Sequence, residues 1–138
     1  MALTGRLHPL LVHFPIALVV VAAGAELVFF ATRFPEWHVV AVANLRAGAA
    51  FAVATAGAGW ILASSRIVEE SPTLEWHRWL GSATAIAVVG AALATAGVDR
   101  LPRRLWLYRV ALFSAAMLAT VAGHFGALLV WGADFLRP

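Results

Sequence analysis

Apolar positions in this chain are not gathered into one stripe of each predicted helix. They form four long, almost unbroken runs, roughly 9–32, 39–64, 73–97 and 105–132, joined by short connections rich in charge and proline. A helix needs about 20 predominantly apolar residues to cross the hydrocarbon core of a bilayer, and each run reaches that length. The connections are Thr32-Arg33-Phe34-Pro35-Glu36, Arg66 to Glu75, and Asp99-Arg100-Leu101-Pro102-Arg103-Arg104. Connections this short favour contact between sequential helices. The pattern predicts an all-α, integral membrane, up-down-up-down four-helix bundle, a single domain over residues 1–138 with both ends on one side. The first run is too long for a signal peptide, contains Glu26 and has no small-x-small cleavage site after a short core; it reads as a retained span.

Composition strengthens this picture. Of 138 residues, 62% are hydrophobic and 12% are charged, about half the charged fraction of a soluble domain. All ten basic residues are arginine and the formal charge is +3. The arginines sit at the ends of apolar runs, which is an interface pattern rather than a nucleic-acid patch. The chain has no cysteine, which excludes disulfides, thiolate metal sites, cysteine-held iron–sulfur clusters and covalent c-type haem.

The arginines also give a direction. Arg6, Arg66, Arg78 and Arg137 fall on the face of the termini, against Arg33, Arg46, Arg100, Arg103, Arg104 and Arg109 on the other. By the positive-inside rule the second face is cytoplasmic, so in a bacterial inner membrane both termini are periplasmic. Trp37, Trp60, Trp76, Trp79, Trp106 and Trp131 lie near predicted helix ends, as an aromatic belt requires. The arginine cluster at 100–104 suits anionic lipid headgroups.

Polar groups inside a span are costly and need a reason. His13 begins the first helix and His77 the third, both on the outer side; His124 precedes Trp131 by seven residues, about 10 Å along the fourth helix. These three histidines share one layer, with His8 further out at the interface and His38 in the inner connection. The layer is rich in small residues: Gly57, Ala58 and Gly59, Gly81 one turn after His77, and Gly123 and Gly126 around His124. Neutral imidazoles facing glycines suit a flat cofactor, and two of them from different helices would hold haem b without covalent attachment. Arg78, beside His77, could pair with a propionate. Against this stands close helix packing through small residues, with interfacial histidines merely hydrogen-bonded. Pro9 suits a first helical position and Pro15 frees the carbonyl of Leu11, a distortion able to aim His13 inward.

At the opposite side Glu26 and Arg46 lie at similar depth on adjacent helices, and pairing them is the cheapest way to bury either charge. A structural pair outweighs a proton path or a quinone contact there. Ser71-Pro72-Thr73-Leu74-Glu75 reads as a serine N-cap, a proline at the first helical position and an acid in the first turn. No hydrolase nucleophile arrangement, phosphate loop or His-Glu-x-x-His zinc motif is present.

Three stretches bear on family: the segment His8-Pro9-Leu10-Leu11-Val12-His13-Phe14-Pro15-Ile16-Ala17-Leu18, the segment His77-Arg78-Trp79-Leu80-Gly81, and the run from Gly123-His124-Phe125-Gly126 to Leu136. Together they resemble the bacterial membrane family called domain of unknown function 2231, over essentially the whole chain. Some relatives look like the membrane part of proteins with attached c-type cytochrome domains, which implies redox work on the outer side. Relatives often carry Gly-His-x-Gly-Gly-x-Leu-x-His-Gly in the third stretch. Here Ala127 replaces the second glycine and Trp131 stands at the second histidine.

The expectation is a membrane cytochrome b-like electron-transfer subunit rather than a stand-alone enzyme. It would bind haem b near the outer face through two of His13, His77 and His124, with Arg78, Gly81 and Gly123 beside it. It would exchange electrons with a partner such as a c-type cytochrome and with quinone or another membrane subunit, inside a larger complex. The alternatives are a non-redox structural or assembly subunit, and a metal-handling protein using the same histidines.

Overall fold

The computed structural model describes residues 6–65, 68–96 and 102–134, with the backbone alone at Pro102. Arg66, Asp99, Arg100, Leu101, Arg137 and the end of the third predicted run at Gly97 lie outside the described residues. Four helices account for nearly all of the rest: α1 (His8–Thr32), α2 (Pro35–Ala63), α3 (Pro72–Ala94) and α4 (Pro102–Trp131).

Their boundaries follow local chemistry. Three of the four begin on proline (Pro35, Pro72, Pro102), whose fixed φ and missing N–H suit a first position. Ser71 caps α3, its hydroxyl accepting from the Leu74 N–H at 3.2 Å, as the sequence predicts. Within α1 the hydrogen-bonding pattern lapses at Val12, between His8–Leu11 and His13–Thr32. Pro15 has no N–H to offer the Leu11 carbonyl, yet Val12 keeps helical angles (φ −60°, ψ −28°) and the helix carries on. Arg33 ends α1 in the left-handed region at φ 62°, so only Arg33 and Phe34 separate α1 from α2.

By length and apolarity α1, at 25 residues, and α2 and α4, at 29 residues each within their bounds, are long enough to cross a membrane. The 23-residue α3 is long enough but less apolar, because Glu75, His77 and Arg78 occupy its first two turns.

Contacts at both ends show that successive helices run antiparallel. His8 of α1 reaches Thr55 late in α2, Trp60 late in α2 reaches Ser82 early in α3, and His77 early in α3 reaches Ala122 late in α4. Glu26, late in α1, meets residues early in α4, which closes the bundle. The two ends are called here the His77 end and the Glu26 end.

The core is built mainly of small residues. Val19, Ala22, Ala41, Leu45, Val88, Ala91, Tyr108, Leu112 and Ala115 are fully buried. Many large apolar side chains point outward: Ile86, Leu93, Met117 and Val130 are each more than 70% exposed, as a surface solvated by lipid tails permits.

Candidate functional site

Two polar clusters occupy the interior, one at each end. At the His77 end the facing imidazoles belong to His8 and His77, with ring centroids 5.9 Å apart and planes at 76°. The Nδ1 of His8 lies 3.0 Å from the Thr55 carbonyl oxygen and that of His77 lies 2.9 Å from the Ala122 carbonyl oxygen. A carbonyl oxygen only accepts, so each Nδ1 carries the proton and donates it. In the neutral rings both Nε2 atoms therefore keep their lone pairs, the state in which histidine ligates a metal while its other nitrogen is pinned.

Glycine makes this packing possible. A Cβ on Gly59 would stand 2.9 Å from Cε1 of His8, and one on Gly126 would stand 3.0 Å from Cε1 of His77. Each ring thus lies on a bare stretch of neighbouring backbone. Gly57, with nothing within 4 Å of an added Cβ, is the control. Gly59→Ala should lose about 1–3 kcal/mol relative to Gly57→Ala, read from unfolding midpoints of the two variants in the same detergent; equal midpoints would mean that His8 moves aside without cost.

The other predicted residues fall around this pair. Arg78 lays its guanidinium 4.4 Å over the Trp60 ring, and its buried Nε has no partner among the described residues. Trp60 is itself held, donating from Nε1 to Ser82 Oγ at 2.9 Å. Gly81 has open space around it, and Gly123 touches only Ile16, 3.5 Å from an added Cβ. His13 and His124 share the depth of the layer but are exposed on the outer surface of the bundle. Helical phase explains this. At about 100° per residue His13 is rotated about 140° from His8, and His124 about 160° from the buried Tyr108. His8, in contrast, precedes Pro15 by seven residues and shares the buried face of Pro15, Val19, Ala22 and Glu26, a spacing visible in the sequence.

The cluster at the Glu26 end differs from the expectation. Glu26 does not pair with Arg46. Its carboxylate, 1% exposed, accepts from Arg109 Nε at 2.7 Å on Oε1, and from His38 Nδ1 at 2.8 Å and the Tyr108 hydroxyl at 3.2 Å on Oε2. Arg46 turns towards α3 instead, donating from Nε and Nη2 to Thr95 Oγ1 at 3.2 and 3.0 Å. The cause is again phase: Ala41, Leu45 and Gly48 form the buried face of α2, and Arg46 lies one step round from it, on the side of α3. His38 is not in a connection either. Pro35 starts α2 a turn earlier than the apolar run, which makes His38 its fourth residue and places it one turn before Ala41 on the buried face. Phe29 and Tyr108 flank the His38 ring at 5.2 and 5.6 Å.

Among the described residues no group of three or more His, Cys, Asp or Glu is placed to hold a metal ion. No curated protein and no solved structure matches the chain. A model of the predicted membrane proteins DUF2231 matches residues 5–135, a stretch that takes in all four helices and both clusters. The chain belongs to the DUF2231 family of predicted membrane proteins.

Proposed function

We propose that this protein is a membrane electron-transfer subunit in which His8 and His77 would hold haem b at the His77 end. The observation that carries the reading is the facing pair of imidazoles, each with Nδ1 committed to a carbonyl and no hydrogen bond to Nε2 among the described residues. The surroundings fit the group. A bare ion would find two protein ligands here where structural zinc takes four, whereas haem brings four nitrogens of its own. The Nε of Arg78, without a partner among the described residues, on a guanidinium 4.4 Å over the Trp60 ring, suits a propionate, and the open space at Gly81 suits a ring edge. Bound there, haem would supply one-electron transfer between its ferric and ferrous states. The chain's own part is to fix the tautomer and tilt of both rings and to keep the site inside an apolar bundle.

Arginine placement supports an inner-membrane setting with the His77 end and both termini in the periplasm. The described arginines divide into Arg33, Arg46, Arg103, Arg104 and Arg109 towards the Glu26 end and Arg6 and Arg78 towards the other, the asymmetry of a cytoplasmic and an outer face. The subunit would work within a larger complex, passing electrons between a periplasmic donor such as a c-type cytochrome and quinone or another membrane subunit.

The test is to purify the protein from haem-replete cells, extract and quantify haem, and record a reduced-minus-oxidised spectrum. About one haem per chain with sharp Soret and α bands is expected; protein that is folded and free of haem would refute the reading. A second reading, a structural or assembly subunit, is favoured by the same hydrogen bonds. His8 ties α1 to α2 and His77 ties α3 to α4 with no cofactor needed.

A further inference from the structure

The Glu26 end holds two nitrogens left over once its carboxylate is satisfied. Glu26 takes three donors, from Arg109, His38 and Tyr108, on its two oxygens. A carboxylate only accepts, so His38 donates through Nδ1, and in the neutral ring its Nε2 is an acceptor. No hydrogen bond to that Nε2 is formed among the described residues, and the side chain is 18% exposed. On the other side of the same carboxylate, Nη2 of Arg109 is buried and has no acceptor among the described residues. An unused acceptor and an unused donor flank one anion.

Their surroundings are aromatic. The Arg109 guanidinium lies 5.7 Å from the Phe29 ring and 5.6 Å from the Phe30 ring, and Phe29 also borders His38. Phe30 is 56% exposed on the outer surface of the bundle, where lipid-soluble molecules arrive.

We infer that this end of the bundle binds the headgroup of a hydroquinone from the membrane pool. A hydroxyl is the group that can give a hydrogen bond to His38 Nε2 and accept one from Arg109; a six-membered ring suits the phenylalanines; an isoprenoid or alkyl tail suits the lipid beyond Phe30. The Glu26 carboxylate behind His38 strengthens the imidazole as an acceptor, the arrangement that orients histidines in metal and proton-transfer sites. A lipid phosphodiester satisfies less of the site, because it offers Arg109 an acceptor but has no proton of its own to give His38. His8 and Glu26 are eighteen residues apart on α1, about 27 Å, so this site is separate from the proposed haem and its occupancy does not depend on haem being bound.

The experiment uses the full chain in nanodiscs of phosphatidylcholine, titrated anaerobically with decylubiquinol against empty nanodiscs. Saturable binding near one quinol per chain is expected. His38→Asn keeps a donor for Glu26 and removes the acceptor, and should weaken binding at least tenfold. Arg109→Lys keeps the ion pair and removes Nη2, and should weaken it by a similar factor. Arg46→Gln, which touches Thr95 instead, should leave it unchanged. Binding that is unsaturable as in empty nanodiscs, that is equal in wild type and both site variants, or that is seen only with added phosphatidylglycerol and not with the quinol, would overturn the assignment.

Discussion

Glu26→Leu should destabilise the folded protein by about 3–5 kcal/mol, the range found when one partner of a buried charge pair is removed. Glu26 is the single acceptor for three donors from two other helices: Arg109 and Tyr108 of α4 and His38 of α2. Leucine fills much the same volume and accepts nothing, so a guanidinium, an imidazole N–H and a phenol are all left without their partner in an apolar interior. The double variant Glu26→Leu with Arg109→Met removes the stranded charge as well and should recover most of the loss, because a buried pair and an apolar pair of similar size are often close in stability. Reversible unfolding in mixed micelles, followed by circular dichroism, measures both. If the single variant unfolds within error of wild type, the cluster does not support the fold.

His77→Asn separates the two functional readings most sharply. Asparagine can present its amide N–H roughly where Nδ1 stands, so the bond to the Ala122 carbonyl is retained while Nε2 is deleted. The haem reading expects haem content to fall to a small fraction of wild type, or the spectrum to become five-coordinate, with the fold intact. His8→Asn should behave in the same way through the Thr55 carbonyl. His13→Ala and His124→Ala, whose rings face outward, should leave the spectrum as it is. If His77→Asn changes neither haem content nor spectrum while His124→Ala removes the haem, His8 and His77 are not the ligands and His13 and His124 are the pair left. If none of the four matters, the histidines are structural.

Much of the fold could be read from the chain because span length is set by bilayer thickness and helix starts by proline chemistry, both local matters. The Ser71 cap and the proline start at Pro72 appear in the structure where residue type demands them, whereas Pro35, which reads as connection by apolarity, starts α2. The polar clusters were only half legible. Depth along a helix follows from residue number only coarsely: Glu26 meets His38, eight residues before Arg46 on α2. Which way each side chain faces depends on rotation about the helix axis, and a sequence that is apolar all round gives little amphipathic contrast to fix it. His13 and His8 differ by five residues and point to opposite fates. The heptad-like series His8, Pro15, Ala22 and the series Tyr108, Leu112, Ala115, Ala119, Ala122 would have fixed the phase, since small or polar residues recurring at that spacing mark the inner face of a membrane helix. Arg109 as the partner of Glu26 required knowing that α4 closes against α1, a long-range contact that no local signal encodes.

The alanine-built core has a consequence for how this protein tolerates change. In a water-soluble domain the damaging substitutions shrink large buried side chains and leave cavities. Here Ala22, Ala41, Ala91 and Ala115 are already minimal, and apart from Leu45, Tyr108 and Leu112 many bulky residues face outward, where one apolar side chain serves about as well as another. A complete mutational scan should therefore look inverted. Leucines, isoleucines and methionine on the outside would vary freely, while added methyl groups at the buried alanines and at Gly59 and Gly126 would be the most damaging class, and sequence drift in such a bundle would spare these residues.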